Sequence, residues 1–399
     1  MGTFIPYGAY WSTPFARWQG ALSHLHAMQF AAHVGKAELT ARDIPLDALD
    51  WCGFGMTVLQ HGCFYGTPWF TAMLGAEHLP GPTVTQACAT GARLLASAAG
   101  ELATGGATTA LIASGDRTSN GPHVYYPAPS GPGGTGQSED WVLDNFNRDP
   151  WAKCAMVDTA ENVAAREGIT TGEQHDVVLR RAEQYAGALA DDRAFQRRYM
   201  PEVLEIPDPR FRKTVGELRG DAGVYPTTPE KLAGLRPVTD GGTVTFAGQT
   251  HPADGNAGMV VTNTAARAAE LARDPAITVE VLGFGQGRED KGFMPAAPIR
   301  AAQRALEAAG LEIGRIDAIK SHNPFAVNDI AFARAFGVDW GDMNNYGCSL
   351  IWGHPQGPTA LRLVIELIEE LALRGGGTGL FHGCAAGDSA MAVVLRVGG

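Results

Sequence analysis

Apolar positions along this chain gather into two blocks of alternating strand and helix, separated by a stretch of different texture. Residues 82–87 read as a short strand. Residues 90–103 have helical composition with small-residue faces, and Gly105-Gly106 stops that helix before an apolar strand over 109–114. The same plan returns from residue 345. A Gly-rich turn holds His354, a helix over 359–373 presents Leu361, Leu363, Val364, Leu367 and Leu371, and Gly375-Gly376-Gly377 leads into a strand over 378–382. Arg93 and Arg362 stand at like places in the two helices, each ahead of a glycine stop. A repeated pattern of this kind reads as an internal duplication.

Between the blocks, residues 119–250 look like an insertion. Gly131 to Gly136 is loop, residues 158–166 and 173–190 have helical composition, and residues 201–237 are rich in Pro and Arg. The chain therefore divides into a first core lobe (1–118), an inserted domain (119–250), a return to the first lobe (251–270) and a second core lobe (271–399). Insertions on a rigid α/β core commonly carry binding surfaces. Arg197, Arg198, Arg210, Arg212, Lys213 and Arg219 either meet a phosphorylated substrate or form a solvated face, and both readings stand. Gly283-Phe284-Gly285-Gln286-Gly287 follows a strand over 277–282 without the helix and acidic residue of a dinucleotide site, and Gly131–Gly136 lacks a following Lys-Ser/Thr. Both read as turns.

Composition narrows the function classes. With 399 residues, 45% hydrophobic and 18% charged, the chain has ample material for a core and no apolar run of bilayer length. The first thirty residues lack a basic start followed by an apolar stretch, so a cytoplasmic enzyme without membrane contact is expected. A net charge of -11 argues against a nucleic-acid binder, which needs a basic surface. Six cysteines without a CxxC pair indicate neither a zinc ribbon nor a disulfide framework, and no metal is expected. Cys52, Cys63, Cys154 and Cys348 read as small core residues.

Two cysteines and two histidines stand apart. Cys88 lies where a strand ends and a helix begins, a place where free backbone N–H groups and the helix dipole are expected to lower a thiol's pKa. His354 sits between Gly353 and Pro355, where the ring can project into a cleft, although a lone histidine in such a place, like His322, is more often structural. His322 follows the strand-like residues 316–320, at the carboxyl end where open α/β sheets bind ligands. Cys384 lies in Gly383-Cys384-Ala385-Ala386-Gly387. A thiol, a base and a second acid together suit carbon–carbon bond chemistry beside a thioester.

The stretch from Thr83 to Gly91 (TVTQACATG) resembles the nucleophile segment of thiolases, the acyl-CoA C-acyltransferases. Thr159-Ala160-Glu161-Asn162-Val163-Ala164 is similar to a signature of their CoA-binding loop domain, Gly353-His354-Pro355 to their histidine motif, and Gly383-Cys384 with Gly387 to the motif of their second cysteine. Order and spacing agree over nearly the whole chain. The resemblance implies an α/β thiolase fold: two pseudo-duplicated core lobes, each with a five-stranded sheet, in five α-β-α-β-α layers with an inserted loop domain. It also implies an acyl-CoA C-acyltransferase acting on a 3-ketoacyl-CoA. Cys88 would carry the acyl group, His354 would take the Cys88 proton, and Cys384 would exchange a proton at the α-carbon. His322 would join His354 in one oxyanion hole, and the N–H groups of Cys88 and Ala386 would form another. By the same carry-over, Met156, Arg219, Ala247, Gly248, His251 and Phe325 would contact CoA. The resemblance further implies coenzyme A as a co-substrate, with no cofactor bound permanently. A homodimer or homotetramer is implied, and a small zinc- or OB-domain partner subunit is a further possibility.

Departures from the family pattern mark this chain as atypical. His322-Asn323-Pro324-Phe325 replaces the usual Asn-Glu-Ala-Phe, Ala386 and Asp388 replace glycines, and Gly248-Gln249-Thr250-His251-Pro252 replaces a Gly-Asn-Ala-Ser-Gly run. The Cys-His-His set keeps a 3-ketoacyl-synthase-like condensing enzyme as an alternative, against which Cys384 speaks. A non-catalytic acyl-CoA-binding subunit is the other alternative, opposed by the intact Cys88, His354 and Cys384. Of the tryptophans at 51, 69, 141, 151, 340 and 352, Trp352 is the candidate for shaping an acyl pocket, with core packing the commoner fate of such residues.

Overall fold

Two long apolar strands, Thr109–Arg117 and Ala253–Thr262, are buried almost end to end because helices cover both of their faces. They pair antiparallel from Thr109↔Thr262 to Arg117↔Asp254. The chain that leaves the sheet at Arg117 thus returns beside itself, and residues 118–252 are spliced between two neighbouring strands. The computed structural model describes residues 2–399.

In the first half, Trp51–Gly55 runs parallel to both Thr109–Arg117 and Thr83–Val84. In the second, Ala318–His322 runs parallel to Gly377–Ala385, which forms an antiparallel hairpin with Ser389–Gly398, itself paired to Thr278–Arg288. The expected two sheets are joined rather than separate. The short strand Thr3–Phe4 pairs with Thr262 on one side and with Glu280 and Val281 on the other, making one hydrogen-bonded path.

Helices Thr90–Thr104 and Gly357–Leu373 lie against each other between the halves, helices Ala27–Ala41 and Thr67–Leu74 cover the first half, and Ala297–Ala309 covers the second. Five layers result. The central helices come so close that a Cβ on Gly91 would stand 2.7 Å from the Leu361 nitrogen. Gly357–Leu373 is buried on every side, so its charged residues Arg362, Glu366, Glu369 and Glu370 are inside the protein.

One expectation is overturned here. Gly283, Gly285 and Gly287 are not a turn but alternate residues of the strand Thr278–Arg288, all on one face. A Cβ on Gly285 would meet the Ala301 carbonyl oxygen at 1.9 Å, and those on Gly283 and Gly287 would approach the same helix at 2.8 and 2.7 Å. The glycines let the alanine-rich helix Ala297–Ala309 lie directly on the strand, a packing role that glycine spacing alone does not distinguish from a turn.

In the insertion, helices Met156–Glu167 and Thr171–Arg193 dominate, the second opened by a capping box between Thr170 and Glu173. The Thr159–Ala164 motif fastens this segment. Glu161 accepts from the N–H groups of Thr243 and Val244 at 2.8 Å each, and Asn162 donates to the Gly292 carbonyl at 2.9 Å. No helix is long and apolar enough to cross a membrane among the described residues.

Candidate active site

Cys88 stands in a tight turn between Thr83–Val84 and Thr90–Thr104, where Ala87 takes φ 45°. The Thr90 hydroxyl locks the turn, donating to the Ala87 carbonyl at 2.7 Å and accepting from the Gln86 N–H at 2.8 Å. The side chain is thereby presented to a cavity of about 990 Å³. Val58, Trp141, Phe146, Met156, Met294 and Phe325 give that cavity a largely apolar wall. Among the described residues, Arg17 is the single lysine or arginine lining it.

The structure brings three of the expected residues together. The Cys88 sulfur and one ring nitrogen each of His322 and His354 lie within 4.8 Å of one another. The two imidazoles are 4.1 Å apart between ring centres, with planes at 32°. His322 ends the strand Ala318–His322, and its Nδ1 is 2.8 Å from the Ser349 hydroxyl. His354 lies between helices Ser349–Trp352 and Gly357–Leu373, with Nδ1 2.7 Å from the Thr359 hydroxyl. Both Nε2 atoms are buried without a hydrogen-bond partner.

The segment returning from the insertion holds both histidine turns in place. His354 N–H donates to the His251 carbonyl at 2.9 Å, and Thr250 N–H donates to the Pro324 carbonyl at 2.7 Å. Behind His322, Asn323 N–H donates to the Ser349 hydroxyl at 3.3 Å, and the Asn323 amide donates to Asp329 at 2.6 Å. Arg181, from the long helix of the insertion, pairs with that carboxylate at 3.0 Å, wholly buried.

Burial governs the electrostatics. It pushes the Cys88 thiol up to about 12, outweighing the N–H groups of Ala386 and of Cys88 itself, which favour the thiolate. The expected lowering by the helix N-terminus is therefore overturned: loss of water around the sulfur exceeds what the helix end supplies. Burial also depresses His322 to about 3, aided by His382, and holds His354 well below its usual value, aided by the His322 and His251 rings. The resting pair is a neutral thiol beside neutral imidazoles.

Cys384 lies off the cavity wall and is fully buried. Burial and the neighbouring Cys88 raise its thiol, and the Asn328 amide donates to its sulfur at 3.3 Å. Of the expected CoA contacts, Met156, His251 and Phe325 line the cavity, whereas Arg219, Ala247 and Gly248 do not. Arg219 ends the solvent-facing hairpin of the insertion and turns to Glu217 at 3.3 Å. Arg197 and Arg198 are engaged by Asp192 and Glu369 at 2.7 and 2.6 Å. Trp352 is also not at the cavity. Its ring packs on Phe15 at 5.2 Å and under the Arg362 guanidinium at 4.1 Å, because Gly353 turns the chain between it and His354.

Several residues at the site escaped the sequence reading. Gln356 takes φ 64° and brings Oε1 within 3.6 Å of the Cys88 sulfur. Asp116, pushed up to about 6 by burial, accepts from the N–H groups of Thr57, Val58 and Gly357 and from the Thr57 hydroxyl, joining the cavity wall to the His354 turn. Thr359 had a signal, five residues past His354 in the first helical turn. Ser349 and Asn328 had none.

Comparison with known proteins places the whole chain. The family model described as "Thiolase, N-terminal domain" matches residues 9–265, and "Thiolase, C-terminal domain" matches residues 276–397. An acetyl-CoA acetyltransferase of Escherichia coli K12 is 28% identical over 390 residues, covering 96% of each chain. One from Paracoccus denitrificans is 29% identical over 322 residues, covering 78% of each. The crystal structure of human mitochondrial 3-ketoacyl-CoA thiolase superposes with a TM-score of 0.89 at 24% identity, covering 99% of this chain and 98% of that one. Its complex with CoA gives 0.87 at 25% identity over the same shares.

Proposed function

This chain belongs to the thiolase family and is an acyltransferase of that class, and we propose that it catalyses CoA-dependent thiolysis of a 3-ketoacyl-CoA, or the reverse Claisen condensation, through an acyl-enzyme on Cys88. The observation that carries this reading is the meeting of the Cys88 sulfur with His354, at the wall of an apolar cavity, and with His322 buried behind them, with the N–H groups of Ala386 and Cys88 beside the same sulfur.

In the degradative direction His354 Nε2 takes the Cys88 proton as sulfur attacks the 3-keto carbon. The C2–C3 bond then breaks, its electron pair passes into the enolate of the departing acyl-CoA, and Cys384 supplies the proton to C2. Free CoA gives up its thiol proton to the Cys384 thiolate and attacks the Cys88 thioester; the shortened acyl-CoA leaves, and the released Cys88 thiolate recovers its proton from His354. His322 and His354 serve the enolate oxygen, and the N–H groups of Cys88 and Ala386 serve the tetrahedral oxyanion. Losing one such donor typically costs about 3 kcal/mol of barrier. Met156, His251 and Phe325 are the proposed CoA contacts, with the Arg219, Ala247 and Gly248 assignments resting on motif position alone. The enzyme is taken to work in the cytoplasm as a homodimer or homotetramer, with a zinc- or OB-domain subunit as an optional partner.

The clustered Cys88, His322 and His354 also favour a second reading, a decarboxylating ketoacyl synthase, which would leave Cys384 without a role. A panel of linear, branched and aromatic 3-ketoacyl-CoA substrates, assayed with CoA, separates the two. Thiolysis lost in Cys88→Ala and reduced at least about a hundredfold in Cys384→Ala supports the thiolase reading, since a positioned acid or base contributes about 10²–10⁴ in rate. Condensation unaffected by Cys384→Ala supports the synthase. No acyl-enzyme on Cys88 by mass spectrometry with any substrate would remove both.

A further inference from the structure

We propose that Cys88, His322 and His354 form a binding site for a thiophilic divalent cation, Zn²⁺ foremost, whose occupancy masks the nucleophile reversibly. One thiol and two imidazoles are the donor types that zinc prefers, and three protein ligands with one open position are a familiar arrangement for it. Here the three donor atoms already lie within 4.8 Å of one another. Zn–S and Zn–N bonds of about 2.3 and 2.0–2.1 Å set tetrahedral donors roughly 3.3–3.6 Å apart, so at most about 1.5 Å of closure is required. Both Nε2 atoms are buried and have no other partner. Cys88 and His354 line the cavity, which gives the ion an entry path and leaves the fourth position facing it.

The surroundings fit the same role. A ligating imidazole needs its other nitrogen held, which fixes the tautomer. His354 Nδ1 can donate to the Thr359 hydroxyl at 2.7 Å, leaving the Nε2 lone pair free. For His322 the partner is Ser349, whose hydroxyl lies 2.8 Å from Nδ1 and 3.3 Å from the Asn323 Oδ1. When that hydroxyl donates to Nδ1, Nε2 carries the proton and can serve an oxyanion. When it turns to Asn323, Nδ1–H donates to Ser349 and Nε2 becomes a metal ligand. One hydroxyl rotation thus supports both states of His322.

Binding exchanges one proton and no electrons. The Cys88 S–H bond breaks, its proton goes to solvent, and sulfur bonds the cation. Acyl-CoA and metal then compete for the sulfur. This inhibitory consequence rests on the thiolase reading, whereas binding itself does not.

Co²⁺ titration of the full-length protein tests the site without turnover. One equivalent should produce a near-ultraviolet thiolate-to-cobalt charge-transfer band and intense visible absorption of tetrahedral type, both displaced by Zn²⁺. Cys88→Ala should abolish the charge-transfer band, His322→Asn should weaken binding at least about tenfold, and Cys384→Ala should retain it. Zn²⁺ should slow alkylation of Cys88 by iodoacetamide, and EDTA should restore the rate. Should His322→Asn fail to fold by thermal unfolding, the Cys88→Ala spectrum and wild-type protection decide the matter. No band in the wild type, or a band that survives Cys88→Ala, overturns the site. A band in a protein without thiolysis supports the site and removes only the catalytic reading.

Discussion

Gln356 holds φ 64° and ψ -102°, a conformation that costs an L-residue on the order of 1–3 kcal/mol, and it presents its amide to the Cys88 sulfur. Strain kept beside a nucleophile is a mark of positioning. Gln356→Gly should therefore raise stability by about 1 kcal/mol in urea unfolding while lowering kcat/KM about tenfold, the loss of one hydrogen bond of ordinary strength. Gln356→Leu should lower kcat/KM similarly without the gain in stability. Wild-type activity in both variants would assign the strain to folding alone. At this scale the motifs exposed Cys88, His354 and Cys384, because each lies in a short segment whose chemistry is local. His322 was legible from its place at a strand end. Gln356 and Ser349 were not, since one depends on a backbone angle and the other on a helix that packs 27 residues beyond its partner. The thiol pKa was misjudged for a related reason: a helix end can be read from sequence, whereas exclusion of water depends on everything packed around the sulfur.

Secondary-structure elements were largely visible from periodicity, but the faces they bury were not. The helix read at 359–373 appears as Gly357–Leu373, and the strand at 378–382 as Gly377–Ala385. Glycines at every second position of Thr278–Arg288 were mistaken for a turn because the helix they accommodate is elsewhere in the chain. Gly285→Ala should cost at least about 3 kcal/mol, since its Cβ would collide with backbone that cannot rotate away; equilibrium unfolding measures this, and a loss under 1 kcal/mol would mean that the helix shifts freely. The charged positions of Gly357–Leu373 are buried and meet the insertion and its neighbours: Arg362 pairs with Asp221 at 2.6 Å and Glu366 at 3.0 Å, and Tyr199 donates to Glu366 at 2.8 Å. Arg362→Met would leave two buried carboxylates short of a cation. A loss of about 3–5 kcal/mol is expected, and urea unfolding would show it.

For the molecule as a whole, the change of texture near residue 119 revealed an insertion, but not the ion pairs Arg181–Asp329 and Arg362–Asp221 that lock it to the core. Another global property comes from the buried histidines. His322 and His382 are each depressed to about 3 by burial, and His354 is lowered in the same direction. His382 stacks on Phe332 at 3.7 Å with both ring nitrogens unpartnered, so the fold leaves no group to stabilise its cation. Because the folded pKa lies below the unfolded value of about 6.5, the unfolded chain binds more protons between these limits, and stability is lost as pH falls from 6.5 toward 3. At pH 5 His322 and His382 each remove about 2 kcal/mol. Asp116 works the other way: its carboxyl, raised to about 6, binds a proton more readily in the folded state and returns about 1 kcal/mol at pH 5. The histidines outnumber it, so the protein should weaken sharply between pH 7.5 and 5.0. Replacing His382 with Leu removes one titrating ring while keeping an apolar neighbour for Phe332. That variant should lose about 2 kcal/mol less than the wild type over the same interval in urea unfolding, whereas parallel losses would show that the ring gains a partner or water on protonation.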